Sequence, residues 1–264
     1  MAQHNFKGFD TNVQCFNEDG LNAALNDHYN VIYADPSRRH DSKGKVFFLK
    51  DCQPNIPENI SEILKHCETF LLKTSPMLDI SVGLSELQDV FQIHIVAIEN
   101  EVKELLWLMK RNNEAELEIK TINFTKSGRE TFNFNWNEFS KAEYSLPKKY
   151  LFEPNAAILK SGAFDLVSQK LRLNKLHKNT HLYTSEELID FPGRRFKIDN
   201  IVPYSKSEIR AALKFKKANI TIRNFPESVA TLRKKWKITE GGDIYLFFVT
   251  NAEDKKQMIV CSKV

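Results

Sequence analysis

The residues that could do chemistry lie first in the segment NVIYADPSRRH, at positions 30–40. An apolar run ends in an acid, a proline and two arginines, so Asp35 and Pro36 directly follow a predicted strand. In α/β proteins, ligands bind in the crevice beyond the carboxyl ends of the strands, which makes Asp35 a candidate site residue. The alternative is that the Asp-Pro pair only starts a turn. Arg38 and Arg39 could pair with phosphate through their guanidinium groups, or they could belong to a solvated loop.

Two further polar segments follow predicted strands. Asp19, in FNEDGLNAAL, comes shortly after the predicted strand VQCF, and it could cap a helix that begins near Leu21. Lys73 ends the predicted strand FLLKTS, and it could line the same crevice as Asp35, although KTSP could also be a simple exit turn.

A pair of histidines has a spacing that can hold a metal. His177 and His181 lie four residues apart in LHKNTH, which on a helix places both imidazoles on one face. No glutamate lies between them as in a zinc-protease helix, so the sequence favours an exposed polar helix end and predicts no metal site. The four cysteines are scattered and lack the close spacing of a zinc site or a disulfide framework, which predicts reduced, packed thiols.

Positioning these residues requires a sheet, and the first 125 residues have the pattern of one. Short apolar runs alternate with amphipathic stretches, as in α/β folds. The predicted strands are VQCF, VIYA, FLLKTS, QIHIVAI and LEIKTINF, and the predicted helices are PENISEILKHC, SVGLSELQDV and EVKELLWLMKRN. In the last of these helices, Val102, Leu105, Leu106 and Met109 would share one face.

The remainder divides into a connecting region and a second folded domain. Residues 126–147 are polar and aromatic without a long period, which predicts a connection between domains. The segment 149–171 predicts a short extended piece and then helices. From Arg194 the prediction is strand, helix, strand, helix and a final hairpin, which is the ferredoxin-like type of α+β layer. The predicted boundaries are therefore residues 1–125, 126–190 and 191–264.

Positive charge is concentrated in the last of these regions. The chain carries a formal charge of +4, yet residues 191–237 contain thirteen lysines and arginines against three acids. Such a stretch is a candidate binding surface for a polyanion, and the alternative is a solvated basic face that serves solubility. The candidate contacts are Arg194, Arg195, Lys216, Lys217, Lys234 and Lys235.

Localisation is predicted from two absences in the sequence. No run of about 18 apolar residues is present, and the start, MAQHNFKGFD, lacks the pattern of a signal peptide. We therefore expect no membrane span and a cytoplasmic protein, while the sequence does not define an oligomeric state.

Several segments together resemble a known family. They are IYADPSRRHDSKGKVFFLKDCQPNIPENI, LLKTSPMLDI, HIVAIENEVKELLW, YLFEPNAAILKSGAF and GGDIYLFF. They are similar, in the same order, to Bacteroidetes class I S-adenosylmethionine-dependent methyltransferases that carry a C-terminal THUMP-like domain. The resemblance implies an α/β fold in which an incomplete Rossmann-like methyltransferase sheet is followed by an α+β, ferredoxin-like (THUMP-like) domain.

The resemblance also implies roles for individual residues. The family's loop after the fourth strand often reads Asp/Asn-Pro-Pro-aromatic, and its first side chain positions the amino group to be methylated. Asp35 and Pro36 match the first two places, whereas Ser37 and Arg38 do not match the second proline and the aromatic residue. Asp19, with Gly20, lies where the family has an acid that accepts a hydrogen bond from the adenine of the cofactor. Together these matches imply an enzyme that transfers methyl groups to RNA.

One element of the family is missing from the sequence. Class I enzymes bind the methionine and ribose portions of the cofactor through a glycine-rich loop, but this chain contains no G-x-G element. Met1 would fall inside the methyltransferase domain, which predicts a truncated domain, an uncovered apolar sheet edge and weak or absent binding of S-adenosylmethionine by this chain alone. The alternative function is a non-catalytic RNA-binding module or an inactive fragment.

Overall fold

The structure is a computed structural model that describes residue 6 and residues 13–38 and 48–264. The chain forms two compact units, one made of residues 1–93 and 105–115 and the other of residues 94–104 and 116–264. The elements of the first unit are α1 (Gly20–Leu25), β1 (Tyr29–Ala34), β2 (Ser37–Arg38), a 3-10 helix (Leu49–Asp51), β3 (Cys52–Gln53), α2 (Ile56–Ile63), β4 (Cys67–Thr74) and α3 (Ile80–Glu86).

Two strands contribute residues to both units, and the remaining elements belong to the second unit. The shared strands are β5 (Val90–Ile98) and β6 (Glu101–Met109). The others are β7 (Glu118–Thr125), β8 (Gly128–Asn135), β9 (Glu143–Tyr144), β10 (Tyr150–Pro154), α4 (Ala156–Ser161), α5 (Phe164–Leu171), β11 (Asn174–Lys175), β12 (Tyr183–Ser185), β13 (Gly193–Pro203), α6 (Lys206–Ala212), β14 (Asn219–Arg223), α7 (Val229–Trp236), β15 (Ile244–Thr250) and β16 (Lys256–Lys263). None of the described helices is long and apolar enough to span a bilayer.

The first unit is organised around the parallel pair β1 and β4. Its apolar core includes Phe70 and Leu72 of β4, which are fully buried. Helix α2 begins at the N-cap Asn55, whose side chain accepts a hydrogen bond from the Glu58 N–H. Its residues Ile56, Ile60 and Ile63 follow the helical period and are buried.

Strand β1 is the edge of the six-stranded sheet, whose order is β1-β4-β6-β5-β7-β8. Three of its large side chains, Tyr29, Val31 and Tyr33, are exposed by 38 to 57%. Within the described part of the chain, no further strand pairs with this edge of the sheet.

The prediction of a helix at EVKELLWLMKRN is wrong, because this segment forms strand β6. Glu99 and Asn100 both have positive φ, 48° and 65°, and they make a two-residue turn that returns the chain from β5. Leu105, Trp107 and Met109 are fully buried at every second position, which is the period of a strand. The same apolar residues also fit a helical spacing, so the turn and the pairing with β4 decide the structure.

Two other predictions fail at strands. The segment VQCF is predicted to be a strand but forms no regular structure. Its Val13 and Phe16 side chains are 48% and 73% exposed, so this segment has no buried face that would stabilise a strand. The region 126–147 is not only a connection, because it contains β8, which pairs antiparallel with β7. The alternation in RETFNFN places Phe132 and Phe134 in the core, with exposures of 7% and 5%.

The second unit contains an eight-stranded sheet in the order β14-β15-β16-β13-β10-β12-β11-β9. Strand β15 lies inside it and is buried on both faces, since Phe247 belongs to one apolar cluster and Phe248 to another. The second cluster includes Ile209 of α6 and Leu232 of α7. Both helices therefore pack on one face of this mixed sheet, as predicted.

Candidate functional site

Asp35 and Lys73 lie together at one edge of the first unit. Asp35 follows β1 and Lys73 is the penultimate residue of β4, and because these strands are parallel their carboxyl ends meet. The Lys73 Nζ donates a hydrogen bond to Asp35 Oδ2 at 2.6 Å. The two side chains are 32% and 49% exposed, so the pair is open to a ligand. The structure thus brings together two residues that the sequence placed in one crevice.

The last residue of β4, Thr74, is hydrogen-bonded to the buried indole ring of Trp107. Trp107 Nε1 donates to Thr74 Oγ1 at 2.9 Å, and both residues are buried. Gly83 of α3 leaves room for this ring, because a methyl group there would lie 2.7 Å from the Trp107 Cζ2 atom. The packing fixes the residue that follows Lys73, and it places Trp107 in the core.

Asp19 is the N-cap of α1, which agrees with the prediction that it caps a helix beginning near Leu21. Its Oδ1 accepts hydrogen bonds from the N–H groups of Leu21 and Asn22, each at 3.0 Å. Its Oδ2 accepts no hydrogen bond from the described residues, and the side chain is exposed. The capping role therefore leaves one carboxylate oxygen available, and Gly20 next to it faces open space.

The residues after Asp35 form a small two-stranded ribbon. Ser37 and Arg38 make β2, which pairs antiparallel with β3 through Ser37 and Gln53 and through Arg38 and Cys52. Pro36, which precedes the ribbon, is half-buried, whereas Ser37 is exposed. Arg39 and the side chain of Arg38 lie outside the described residues.

Three of the basic residues that the sequence predicts to contact a polyanion form ion pairs with acids of the second unit. Arg194 Nε donates to Oε2 of the buried Glu153 at 2.6 Å, and Arg223 donates to the other oxygen. Arg195 lies 3.6 Å from Asp190. Lys235 donates to Glu227 and to the Tyr204 hydroxyl, each at 3.0 Å, and these bonds raise the pKa of Lys235.

The other three predicted contacts are exposed and are not ion-paired within the described residues. Lys216 and Lys217 follow α6, and Lys234 lies in the last turn of α7. The segments after the two helices are joined, because the Thr239 N–H donates to the Lys216 carbonyl at 2.8 Å. We define the basic surface as Lys214, Lys216, Lys217, Lys234 and Lys237, all exposed.

The two histidines do not form an exposed helix end, so that prediction is wrong. They lie in the segment between β11 and β12, on either side of the turn at residues 178–180. His177 is 7% exposed, and its Nε2 lies 3.0 Å from Asp254 Oδ1. His181 stacks on Phe164 with ring centroids 3.6 Å apart. No group of three or more metal ligands occurs among the described residues. The described cysteines are free thiols, as the sequence predicts, and Cys52, Cys67 and Cys261 are buried.

Comparison with known proteins identifies the C-terminal domains. Residues 150–192 match the model of a ferredoxin-like domain, and residues 193–263 match a THUMP domain-like model. Among curated proteins, none gives a significant match.

One solved structure is similar to most of the chain. It is described as a "putative methyltransferase" from Porphyromonas gingivalis W83, with a TM-score of 0.83, 37% sequence identity and coverage of 89% of this chain. The chain spans 60% of the length of that protein. These findings confirm the predicted fold: the chain has mixed α/β sheets, resembles a methyltransferase structure and carries a ferredoxin-like domain followed by a THUMP-like domain.

Proposed function

We propose that this chain takes part in methyl transfer from S-adenosylmethionine to RNA. Residues 1–125 would belong to the methyl-transfer region, residues 126–190 would connect it, and residues 191–264 would bind RNA. The protein would act in the cytoplasm, where RNA substrates are present. The similarity to a methyltransferase structure and the THUMP domain-like match support the proposal.

The observation that carries the proposal is the position of Asp35 and Lys73. They meet at the carboxyl ends of adjacent parallel strands, which is where open α/β sheets bind ligands. Lys73 donates to Oδ2 of Asp35, and the other oxygen, Oδ1, accepts no hydrogen bond from the residues that the structure describes. That oxygen can accept a hydrogen bond from an acceptor amine and hold it for an in-line displacement, in which positioning supplies much of the rate. Pro36 would shape the loop, and Ser37, Arg38, Arg39 and Lys73 would contact the RNA.

The described residues fit one portion of the methyl donor. The Oδ2 atom of Asp19, which has no donor among the described residues, can accept a hydrogen bond from the adenine amino group while Oδ1 continues to cap α1. When bound, S-adenosylmethionine supplies an electrophilic methyl group. No glycine-rich loop is present in the sequence to hold its methionine portion, so we expect weak binding.

The first prediction concerns Asp19. S-adenosylhomocysteine should bind the 264-residue chain with a dissociation constant above about 100 µM, and Asp19→Asn should weaken binding about tenfold, as expected for one lost hydrogen bond to a charged group. Asparagine still caps a helix, so α1 should remain intact. Ligand-observed NMR is suited to such weak binding.

The matched control is Asp79→Asn. Asp79 caps α3 with the same geometry, accepting from Ser81 and Val82 at 2.9 and 3.1 Å, but lies outside the proposed site. This variant should leave binding unchanged. If the unmodified chain shows no binding at millimolar ligand, or both variants weaken it equally, the cofactor role of Asp19 is wrong, and the non-catalytic RNA-binding module becomes the better description.

RNA binding is supported by the basic surface. Five exposed lysines lie on two segments that are hydrogen-bonded to each other, and none is ion-paired within the described residues. Lysines in the last turn of α7 also complement the helix dipole, but this accounts for Lys234 and not for the lysines after α6. Exposed ammonium groups of this kind bind phosphate mainly by releasing counterions.

The second prediction compares the contributions of Lys234 and its neighbour Lys235 to RNA binding. Lys234→Gln should weaken binding of structured RNA and reduce the slope of log K against log salt by about 1. Lys235→Gln should change the slope less, because Glu227 already neutralises this ammonium. Filter binding at several salt concentrations measures both slopes. Equal changes in the two variants, or affinity that does not depend on salt, would contradict the role of the basic surface.

A further inference from the structure

The second unit contains a cavity of about 640 Å³ that the proposed methyl transfer does not use. Its volume is within the range of small-molecule sites. The residues that give it chemical character are Trp136, Phe164, Asp165, Lys175, Lys178 and His181. All belong to β8, α5 and β11 or to the segments that follow them.

A buried charged pair lies in the wall of this cavity. The Lys175 side chain is 3% exposed, and its Nζ donates to Asp165 Oδ1 at 2.9 Å. Burial of an ammonium group is costly unless its donors are used, and Asp165 is the one acceptor that the described residues provide for three N–H donors. The Asp165 side chain is 40% exposed and lines the cavity, and its other oxygen, Oδ2, accepts no hydrogen bond from the described residues. The wall therefore presents a donor directly beside an acceptor.

His181, another residue that lines the cavity, has a buried ring nitrogen, Nδ1, that makes no hydrogen bond with the described residues. Its ring is fixed by stacking on Phe164. Burial and the nearby Lys175 lower the pKa of His181 to about 4, so the imidazole is neutral at physiological pH.

The charge and the shape of the wall indicate what kind of ligand fits. The formal charges of its lining residues cancel, since Lys175 and Lys178 contribute two positive charges and Asp165 and Glu138 two negative ones. A balanced wall favours a neutral ligand over an anion such as phosphate. The aromatic rings of Phe134, Trp136 and Phe164 favour a flat one, since planar rings gain from stacking.

We infer that this cavity binds a nucleobase, with its hydrogen-bonding edge on Asp165 and Lys175. Nucleobases are neutral and planar, and they carry a donor beside an acceptor on one edge, which is the complement of this pair. The base can come from a free nucleoside or from an unpaired position in RNA. Only the second source rests on the proposed function, and in that case the cavity selects unpaired positions in the substrate.

The test uses neutral nucleosides and the full chain. Adenosine, cytidine, guanosine, uridine and inorganic phosphate are titrated separately by calorimetry. At least one nucleoside should bind with a submillimolar dissociation constant, and phosphate should not. Lys175→Met should weaken that binding about 10- to 100-fold, as expected for lost hydrogen bonds to a charged group. Methionine fills a similar volume, and water can solvate the Asp165 carboxylate that loses its partner, because its side chain is 40% exposed, so the melting temperature should change little.

The matched control is Lys255→Met, which also removes a lysine–carboxylate pair, that with Glu253 at 2.8 Å, away from the cavity wall. It should not affect nucleoside binding. Binding of phosphate alone, no nucleoside binding at millimolar concentration, or equal effects of the two variants would overturn the inference. Displacement of the nucleoside by a single-stranded oligonucleotide would identify RNA as the source, and lack of displacement would identify a free nucleoside.

The outcomes separate this inference from the proposed function. RNA binding through the basic surface without nucleoside binding would exclude the cavity site alone. Nucleoside binding without binding of RNA or S-adenosylhomocysteine would leave the cavity site in place and exclude the proposed function.

Discussion

Replacing Glu153 with alanine is expected to lower the free energy of unfolding by about 3 kcal/mol, near the low end of the range for breaking a buried ion pair. The Glu153 side chain is 4% exposed and lies between two arginines. Oε2 accepts from Arg194 Nε at 2.6 Å, and Oε1 accepts from Arg223 at 2.8 Å. Both guanidinium groups would lose their counter-charge. They are 39% and 33% exposed, so water can partly replace the carboxylate, which limits the loss.

The control for this variant is an exposed ion pair. Glu62 and Lys65 of the first unit are 2.6 Å apart and about half exposed. Glu62→Ala should leave the stability nearly unchanged, because exposed pairs contribute little. Urea denaturation followed by circular dichroism measures both variants. A loss of stability below about 1 kcal/mol for Glu153→Ala would contradict this expectation. It would mean that water solvates both arginines in the folded state, and that the triad of Glu153, Arg194 and Arg223 does not stabilise the fold.

The triad also changes the interpretation of Arg194. The sequence predicts an RNA contact there, since Arg194 begins a run of basic residues. In the structure, Arg194 faces Glu153 across the β10–β13 ladder, and Arg223 reaches the same carboxylate from β14. The partners are 41 and 70 residues apart, so no local pattern indicates them. Net charge along a segment locates a basic region, but the pairing of strands decides which of its charges remain available.

The candidate site shows how far the sequence could predict the structure. An apolar run that ends in Asp-Pro identifies the end of a strand, and in β4 the alternation of buried Phe70, Leu72 and Thr74 with half-buried residues has the period of a strand. The parallel pairing that brings Asp35 to Lys73 needs a crossover, and the sequence indicates it only through the helix PENISEIL between the strands. The ion pair between Asp35 and Lys73 depends on the conformations of their side chains, which the periodicity of the sequence does not predict.

Strand β6 shows why other elements could not be predicted. In VKELLWLM, positions 102, 105, 106 and 109 fit a helical face, whereas positions 105, 107 and 109 fit a strand. A two-residue turn at Glu99 and Asn100 resolves the ambiguity, but this dipeptide lacks the glycine that usually marks such a turn. Tertiary pairing with β4 therefore outweighs the local pattern.

Replacing Gly193 with alanine is expected to cost about 3 kcal/mol or more, from backbone strain and overpacking together. Gly193 begins β13, at the junction of the two matched domain models, and it has φ of +153°, which side chains rarely adopt. A methyl group there would lie 2.8 Å from the Asn155 nitrogen and 3.0 Å from the Pro154 carbonyl carbon, and closer still to the Glu153 carbonyl oxygen. These are backbone atoms of β10 and of the residue that caps α4, so they cannot rotate away.

The control Gly128→Ala separates the two contributions. Gly128 has a similar φ of +141°, but no atom lies within 4 Å of the position that a methyl group would take. The free energy of unfolding of this variant should therefore fall by about 1–2 kcal/mol, from backbone strain alone. For Gly193→Ala the free energy of unfolding should fall further, because the added methyl group also pushes β10 away from β13. Thermal and urea unfolding of both variants measure the difference. Equal losses would mean that the backbone of β10 shifts without cost and that close packing at Gly193 does not hold the Glu153 carboxylate against Arg194.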